Sequence, residues 1–387
     1  MGDPPFGPVQ LLVVQPTPFC NLDCDYCYLP DRGDRSRLSF ELLERAVERV
    51  LESPWFEGPF TLLWHAGEPL SLPVAYYDEA SDRLQSLLAR RGLPPDTILP
   101  SLQTNAIVIN EAWCDCFERN NIHVGVSLDG PAFLHDVHRR TRTGRPSHAA
   151  AMRGIGWLQR RGIPFQVICV LTAESLHHAE AMAAFFLEHG ISDVGFNMEE
   201  TEGSNARSSL DVAGAEQRAL EARYRQFLEV FWRHSLEQGE RLRIREFEGV
   251  SSLAAGGGRL ACTDMNHPFA IVNVDVNGNV STFDPELLSV PTAEYGAFHF
   301  GNVRTHSLEE LAASDTFRRV KSEIQAGVDL CRGSCEYFGL CGGGAGSNKY
   351  WEHGRFDVSA TQHCRYRIQL VADVVVAGME QELGLAA

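Results

Sequence analysis

Cys20-Asn-Leu-Asp-Cys24-Asp-Tyr-Cys27-Tyr28 sets three cysteines at C-x3-C-x2-C spacing, directly after an apolar run, Val9 to Gln15, that reads as a β-strand. Three thiolates on one tight loop can ligate three irons of a [4Fe-4S] cube and leave the fourth iron without a protein ligand. An open iron can bind a small molecule. Zinc is the alternative for clustered thiolates, but it wants a fourth Cys or His nearby, and this loop supplies none.

Outward from the loop, short runs rich in Val, Ile, Leu or Phe alternate with helical patterns to about residue 240. Strands are expected at Val9 to Gln15, Phe60 to His65, Ile98 to Thr104, His123 to Leu128, Phe165 to Leu171 and Asp193 to Met198, each covered on both faces. Helices are expected at Phe40 to Leu51, Val74 to Arg91, Glu111 to Asn120, His148 to Arg161 and His178 to His189, and a long charged one at Gly214 to Glu237. Such alternation is that of βα units on a parallel sheet. Six units give an α/β chain with a partial (β/α)6 TIM-like barrel. The composition turns to Gly, Ala and Ser at Gly249 to Gly258, which places a boundary between a barrel, residues 1–248, and a second part, residues 249–387. In the second part Val272 to Val276 and Asn279 to Phe283 flank Asn277-Gly278 and read as a β-hairpin. A helix from about Leu308 to Gln325 leads into a second cysteine group.

The bulk properties limit the function. A chain of 387 residues with 44% hydrophobic and 22% charged content is an ordinary globular protein. Its formal charge of -17 argues against nucleic acid or an anionic membrane as partner. No apolar run approaches ~18 residues and no signal-peptide pattern opens the chain, so the expected location is cytoplasmic. Of the eleven cysteines, Cys114, Cys116 and Cys169 sit in helix or strand text and read as buried thiols. The basic residues are nearly all Arg, with Lys321 and Lys349 the only lysines.

The cysteine loop, with Tyr28 as the aromatic after its last Cys, resembles that of the radical S-adenosylmethionine (SAM) superfamily. Trp64-His-Ala-Gly67-Glu68-Pro69 is similar to that family's GGEP segment, with Ala66 in place of the first Gly. The resemblance implies that SAM chelates the open iron through its amine and carboxylate, and that an electron cleaves its sulfonium to a 5'-deoxyadenosyl radical. It also implies that Gly67 and Glu68 hold the SAM amino group, and that Thr104 and Asn105, then Ser127 and Asp129, line the site from the ends of the third and fourth strands. Arg142 is the candidate for the SAM carboxylate, beside the reading of a solvated basic run. Asn197 is the candidate facing the nucleoside, beside that of a structural amide. A flavodoxin or ferredoxin-type donor would supply the electron.

Cys331-x3-Cys335-x5-Cys341-Gly-Gly-Gly344, followed by Cys364, resembles the iron-sulfur-binding SPASM extension of radical SAM enzymes that modify peptides. Four thiolates imply one closed auxiliary [4Fe-4S] cluster, with zinc as the alternative metal. The family's fuller form holds a second auxiliary cluster, but this chain has Phe283 and Ala345 where two of its cysteines would stand, which leaves Cys262 as a lone thiol.

The text around these motifs, Gln15 to Pro30, Trp64 to Leu70 and Tyr337 to Lys349, looks like the cyclophane-forming maturases of glycine-rich-repeat precursor peptides. That likeness implies a carbon-carbon bond between an aromatic ring and the β-carbon of a residue two positions later, in a ribosomally made, glycine-rich precursor. Rearomatisation then needs an electron acceptor, for which the auxiliary cluster is suited, and a base. Asp284 stands where sulfatase-maturating relatives carry a catalytic Asp; its other reading is the opening of an Asp-Pro turn. Glu199, Glu200 and His65 are the reserve candidates. Peptide capture is expected at the barrel mouth and the extension, since no leader-binding domain fits before Cys20. The rival readings are sulfatase maturation to formylglycine, thioether formation, and a noncatalytic metal-binding scaffold.

Overall fold

The computed structural model describes residues 6–237 and 242–385. Ten strands form one sheet: β1 Leu11–Val14, β2 Phe60–Trp64, β3 Ile98–Thr104, β4 His123–Ser127, β5 Phe165–Leu171, β6 Asp193–Met198, β7 Arg243–Ile244, β8 Ile271–Val274, β9 Asn279–Thr282 and β10 Gly301–Asn302. The order is β10-β9-β8-β1-β2-β3-β4-β5-β6-β7, parallel from β8 through β7, with β9 and β10 antiparallel at one edge. The mixed α/β barrel expected from the sequence is present, and the C-terminal hairpin joins it by pairing β8 alongside β1.

Helices Phe40–Glu52, Val74–Arg90, Glu111–Arg119, His148–Arg161, Ala179–Glu188 and Gly214–Glu237 connect or follow the parallel strands. Ser39 and Asn110 accept backbone N–H groups at two helix starts, and Gly162, at a φ of 65°, ends the fourth helix where a side chain would be strained. Side chains alternate faces along a strand. One face, with Leu12, Val14, Leu62, Trp64, Leu102, Val126, Val167, Cys169 and Phe196, is buried. The ladder puts Val13, Leu63, Asn273, Gln103, Gly125, Ser127, Ile168, Val170 and Asn197 on the other. There Leu63, Gln103, Ser127 and Val170 are only half-buried and Asn197 is exposed, so the strands are not covered on both faces as expected. Cys114, Cys116 and Cys169 are fully buried core thiols, as read.

Two expectations change in the C-terminal part. The helix expected from Leu308 to Gln325 is two helices, Leu308–Ala312 and Asp315–Ser334, because Ser314 accepts from the Phe317 N–H and starts the chain afresh. The second helix carries Cys331 on its buried side. The helix Arg245–Ala254 spans the 248/249 boundary, and the glycine-rich run starts after it, with Gly256 at a φ of 92°. The final helix, Val371–Glu382, packs on Arg245–Ala254 and Gly214–Glu237, tying the chain's end to the barrel. Among the described residues no helix is long and apolar enough to cross a membrane.

Candidate active site

The cysteine loop leaves β1 and is held by its neighbours. Cys20 N–H donates to the Arg32 carbonyl at 3.1 Å, Arg32 donates to the Cys24 carbonyl at 2.9 Å, and Asp23 N–H donates to the Arg140 carbonyl at 2.7 Å. Burial pushes the Cys20 thiol up to about 12 and the Cys24 thiol up to about 11; for Cys20 the Glu68 carboxylate adds to the effect. Such thiols stay protonated and inert unless a cation joins them, and iron in the loop deprotonates a coordinating thiol outright. Among the described residues no three Cys, His, Asp or Glu side chains converge to hold one ion.

The Gly67-Glu68 turn lies against the loop. Glu68 N–H donates to the Phe19 carbonyl at 2.8 Å, and a Cβ on Gly67 would sit 2.1 Å from the Thr17 carbonyl oxygen, so only glycine fits at its φ of 104°. Glu68 is buried. Its Oε1 accepts from Leu70 N–H at 2.9 Å and Thr104 Oγ1 at 2.7 Å, and its Oε2 from Asn105 N–H at 2.9 Å. Burial still raises its carboxyl above the ordinary value, which favours a cationic partner at the remaining lone pairs. Thr104 thus spends its hydroxyl on orienting Glu68. Asn105 reaches the loop itself, donating to Asn21 Oδ1 at 2.7 Å, with its amide 4.0 Å from Cys20 Sγ.

Asp129 is fully engaged by protein groups. Arg139 donates to both its oxygens, at 2.8 and 3.1 Å, Val170 N–H donates at 3.0 Å, and the Tyr26 hydroxyl donates as well. Because Tyr26 lies between Cys24 and Cys27, this buried network pins the cysteine loop to β4 and β5. Burial opposes the Asp129 charge, but Arg139 holds the carboxyl below its usual value. Ser127 accepts from Gln103 Nε2 at 2.9 Å. Arg142 is exposed, and its guanidinium donates to the carbonyls of Arg32 at 3.1 Å and Cys20 at 3.4 Å. Asn197 accepts from Arg245 at 2.8 Å. Tyr28 places its hydroxyl 3.4 Å from His65 Nε2, and loss of water pushes that imidazole down to about 4.

The four C-terminal cysteines share a cavity, although, as at the loop, no three of them converge on one ion point among the described residues. Cys331, Cys335, Cys341 and Cys364 line one cavity of about 210 Å³, with Gly343, Gly344 and Lys349 in its wall. Helix Asp315–Ser334 supplies the first cysteine, and a π-helical stretch, Arg365–Leu370, follows the last. Lys349 is 3% exposed, with Nζ 3.7 Å from Cys331 Sγ and no carboxylate paired to it among the described residues. Burial pulls its ammonium down, and anionic sulfurs of Cys331, Cys341 and Cys364 hold it up. Metal-bound thiolates in this cavity would stabilise an ammonium at Lys349, 3.7 Å from Cys331 Sγ. Phe283 and Ala345, where a second auxiliary cluster would need cysteines, are buried, with Phe283 stacked on Phe317 at 6.1 Å. Cys262 does not line the cavity; its backbone packs against Gly342.

Asp284 follows Phe283, whose φ of 73° is strained for a phenylalanine. By position Asp284 opens the short helix Pro285–Leu287, yet its side chain caps nothing. Oδ2 accepts from Ser347 N–H at 2.8 Å, and Oδ1, fully buried, has no hydrogen-bond partner among the described residues. Burial first and then the Glu286 charge hold its carboxyl well above the carboxylate range. Burial also pushes Glu286 up to about 7 and Glu202 well above its usual value. Glu200 goes the other way: burial opposes its charge, but His363 and Asn348 hold the carboxyl low. Glu199 accepts from Ser209 N–H at 2.8 Å. Burial first, and then the charges of Glu286 and Glu202, hold the Tyr28 hydroxyl well above its usual value.

The sequence profile of the radical SAM superfamily matches residues 14–186, the stretch that holds the cysteine loop, Glu68 and Asp129. The chain belongs to the radical SAM superfamily. A radical SAM enzyme works with a [4Fe-4S] cluster and SAM. This one is 51% identical, over 98% of its length and 94% of the relative's, to an uncharacterized protein of Synechocystis sp.. It is 26% identical, over 89% of its length and 84% of the relative's, to the serine-type anaerobic sulfatase-maturating enzyme of Bacteroides thetaiotaomicron. Its fold matches native anSMEcpe with bound AdoMet and Cp18Cys peptide, at a TM-score of 0.74 and 21% identity, over 97% of this chain and 99% of that one. It also matches SuiB of Streptococcus suis bound to its precursor peptide SuiA, at a TM-score of 0.61 and 15% identity, over 92% of this chain and 76% of that one.

In this radical SAM enzyme the residues read from sequence fall into two groups: Cys20, Cys24, Cys27, Tyr28, Glu68, Thr104, Asn105 and Arg142 at the loop, and Asp284 with the second cysteine set beyond the hairpin. Arg139, Tyr26, Glu202 and Glu286 join them without having been singled out, and Lys349, noted only as one of two lysines, joins the second. Tyr26 was visible within the cysteine motif. Nothing distinguished Arg139 from the other arginines of its run.

Proposed function

We propose that this radical SAM enzyme installs a carbon-carbon crosslink in a ribosomally made, glycine-rich precursor peptide, closing a three-residue cyclophane between an aromatic ring and a β-carbon. The observation that carries an oxidative peptide chemistry is Asp284, a fully buried carboxylate with one oxygen free and its proton held well above the usual range. The likeness of the motif text along nearly the whole chain takes that chemistry to the cyclophane. When bound, the [4Fe-4S] cluster and SAM supply a hydrogen-abstracting radical, and an auxiliary cluster supplies an electron acceptor.

The chain's residues divide the work. Residues 1–248 hold the initiating site: Cys20, Cys24 and Cys27 bind iron, Glu68 takes the SAM ammonium with Thr104 fixing its rotamer, and Arg142, Ser127 and Asn197 are the further SAM contacts. Residues 249–387 hold Asp284, which receives the ring proton, and the four cysteines of a single auxiliary site. The peptide loses two hydrogens per ring, one as an atom to the radical and one as a proton to Asp284 with an electron to the acceptor. A flavodoxin or ferredoxin-type protein supplies the initiating electron.

Anaerobic reconstitution should give about eight irons per chain from two [4Fe-4S] clusters. About four irons with one tightly bound zinc would make the C-terminal set a zinc site, and about twelve would bring Cys262 into a third cluster. Sulfatase maturation is the second reading, favoured by the Bacteroides relative and its span of this chain. Formylglycine made from serine also costs two hydrogens, so mass alone does not separate the readings. Tandem mass spectrometry with an aldehyde-capturing hydrazide does: a cyclophane resists backbone fragmentation within its ring and leaves the hydrazide unreacted, whereas formylglycine is captured.

A further inference from the structure

We infer that Lys349 is the positioning charge that sets the reduction potential of the auxiliary site. The inference rests on the reading that Cys331, Cys335, Cys341 and Cys364 hold an iron-sulfur cluster, and not on which bond is made in the peptide. This chain uses Arg for nearly every cation, and Lys349 is one of only two lysines. The residue is 3% exposed, its Nζ lies 3.7 Å from Cys331 Sγ, and it lines the same cavity as Cys341 and Cys364. Space is tight around it: a Cβ on Gly327 would lie 3.0 Å from Nζ and 2.3 Å from the Phe356 carbonyl oxygen. A compact ammonium on a flexible stem fits there, and a planar guanidinium is wider.

The position has a direct electrostatic consequence. Cluster potentials follow net charge, hydrogen bonds to the sulfurs and solvent exposure. A cation held in a dry wall is screened little by salt. It stabilises the more negative, reduced state of a four-thiolate cluster over the oxidised one, and its N–H groups soften the charge on Cys331. Both effects raise the potential, which favours acceptance of the electron released as a substrate ring regains aromaticity.

The test is a redox titration of the reconstituted full chain, followed by electron paramagnetic resonance, with iron counted and no peptide added. Lys349→Met removes charge and donor, and Lys349→Gln keeps a donor. Both should retain about eight irons. In both, the reduced-to-oxidised ratio of the auxiliary cluster at a fixed solution potential should fall by tenfold or more, a shift of about 59 mV per tenfold for one electron. The signal of the N-terminal cluster should not move. An unchanged auxiliary potential in a fully loaded Lys349→Gln protein would overturn the inference. So would loss of the auxiliary iron from both variants, since Lys349 would then be needed to build the site. Zinc in the wild-type set would instead defeat the cluster reading on which the inference rests.

Discussion

Alanine at Cys20, Cys24 or Cys27 is expected to reduce 5'-deoxyadenosine formation to background. Two thiolates hold a cube poorly, and the open iron that positions SAM is lost with it. The neighbouring structure should survive, because the loop is also fixed by Arg32, by Asn105 through Asn21 and by Tyr26 on Asp129. The C-terminal set does not share these ligands, so the variants should keep about four irons. Chromatography of the anaerobic reaction with dithionite checks the outcome. Full 5'-deoxyadenosine production by any of the three would remove this loop from the chemistry.

Asp284→Asn should separate initiation from completion. The amide is isosteric and its oxygen can still accept from Ser347 N–H, but it cannot take a proton. SAM cleavage and iron content should persist while crosslinked peptide falls by about 10²-fold or more. The pH profile gives a second reading of the same role. A base works only when deprotonated, and burial with the Glu286 charge raises the Asp284 carboxyl, so crosslinking should rise with pH through a midpoint above the usual carboxylate range. Glu286→Gln removes one raising charge and should shift that midpoint to lower pH. Unchanged crosslinking by Asp284→Asn would return Asp284 to a turn residue and move the search to Glu199.

The strands and the two cysteine groups were legible because their signals are local. Ile98–Thr104, Phe165–Leu171 and Asp193–Met198 end where the sequence places them, since each is a short apolar run bounded by turn residues. The cysteine groups were legible because their close spacing stands in the sequence itself. The break at Ser314 was not: Leu308 to Gln325 keeps helix formers on both sides of it, and only the capping bond to Phe317 shows that two helices meet. Arg139 and Arg142 lie in one basic run, yet the first is 7% exposed against Asp129 and the second lies in water. Local text cannot sort them, because the difference is made by β4 and β5 closing over Arg139. The acidic group required the fold as well, since Glu200 and Glu202 follow β6 while Asp284 and Glu286 follow β9. Asp284 itself was named for its place after Phe283, but its free buried oxygen became visible only when Ser347 was seen to take the other.

The most direct measurement is a single anaerobic reaction of the reconstituted enzyme with SAM, reductant and a glycine-rich, aromatic-containing precursor peptide, in which 5'-deoxyadenosine and peptide are quantified together. The account predicts one 5'-deoxyadenosine per ring and a peptide lighter by two hydrogens per ring, with the link mapped between an aromatic ring and a β-carbon. An unaltered peptide beside abundant 5'-deoxyadenosine, or a peptide bearing an aldehyde instead of a ring, would contradict it.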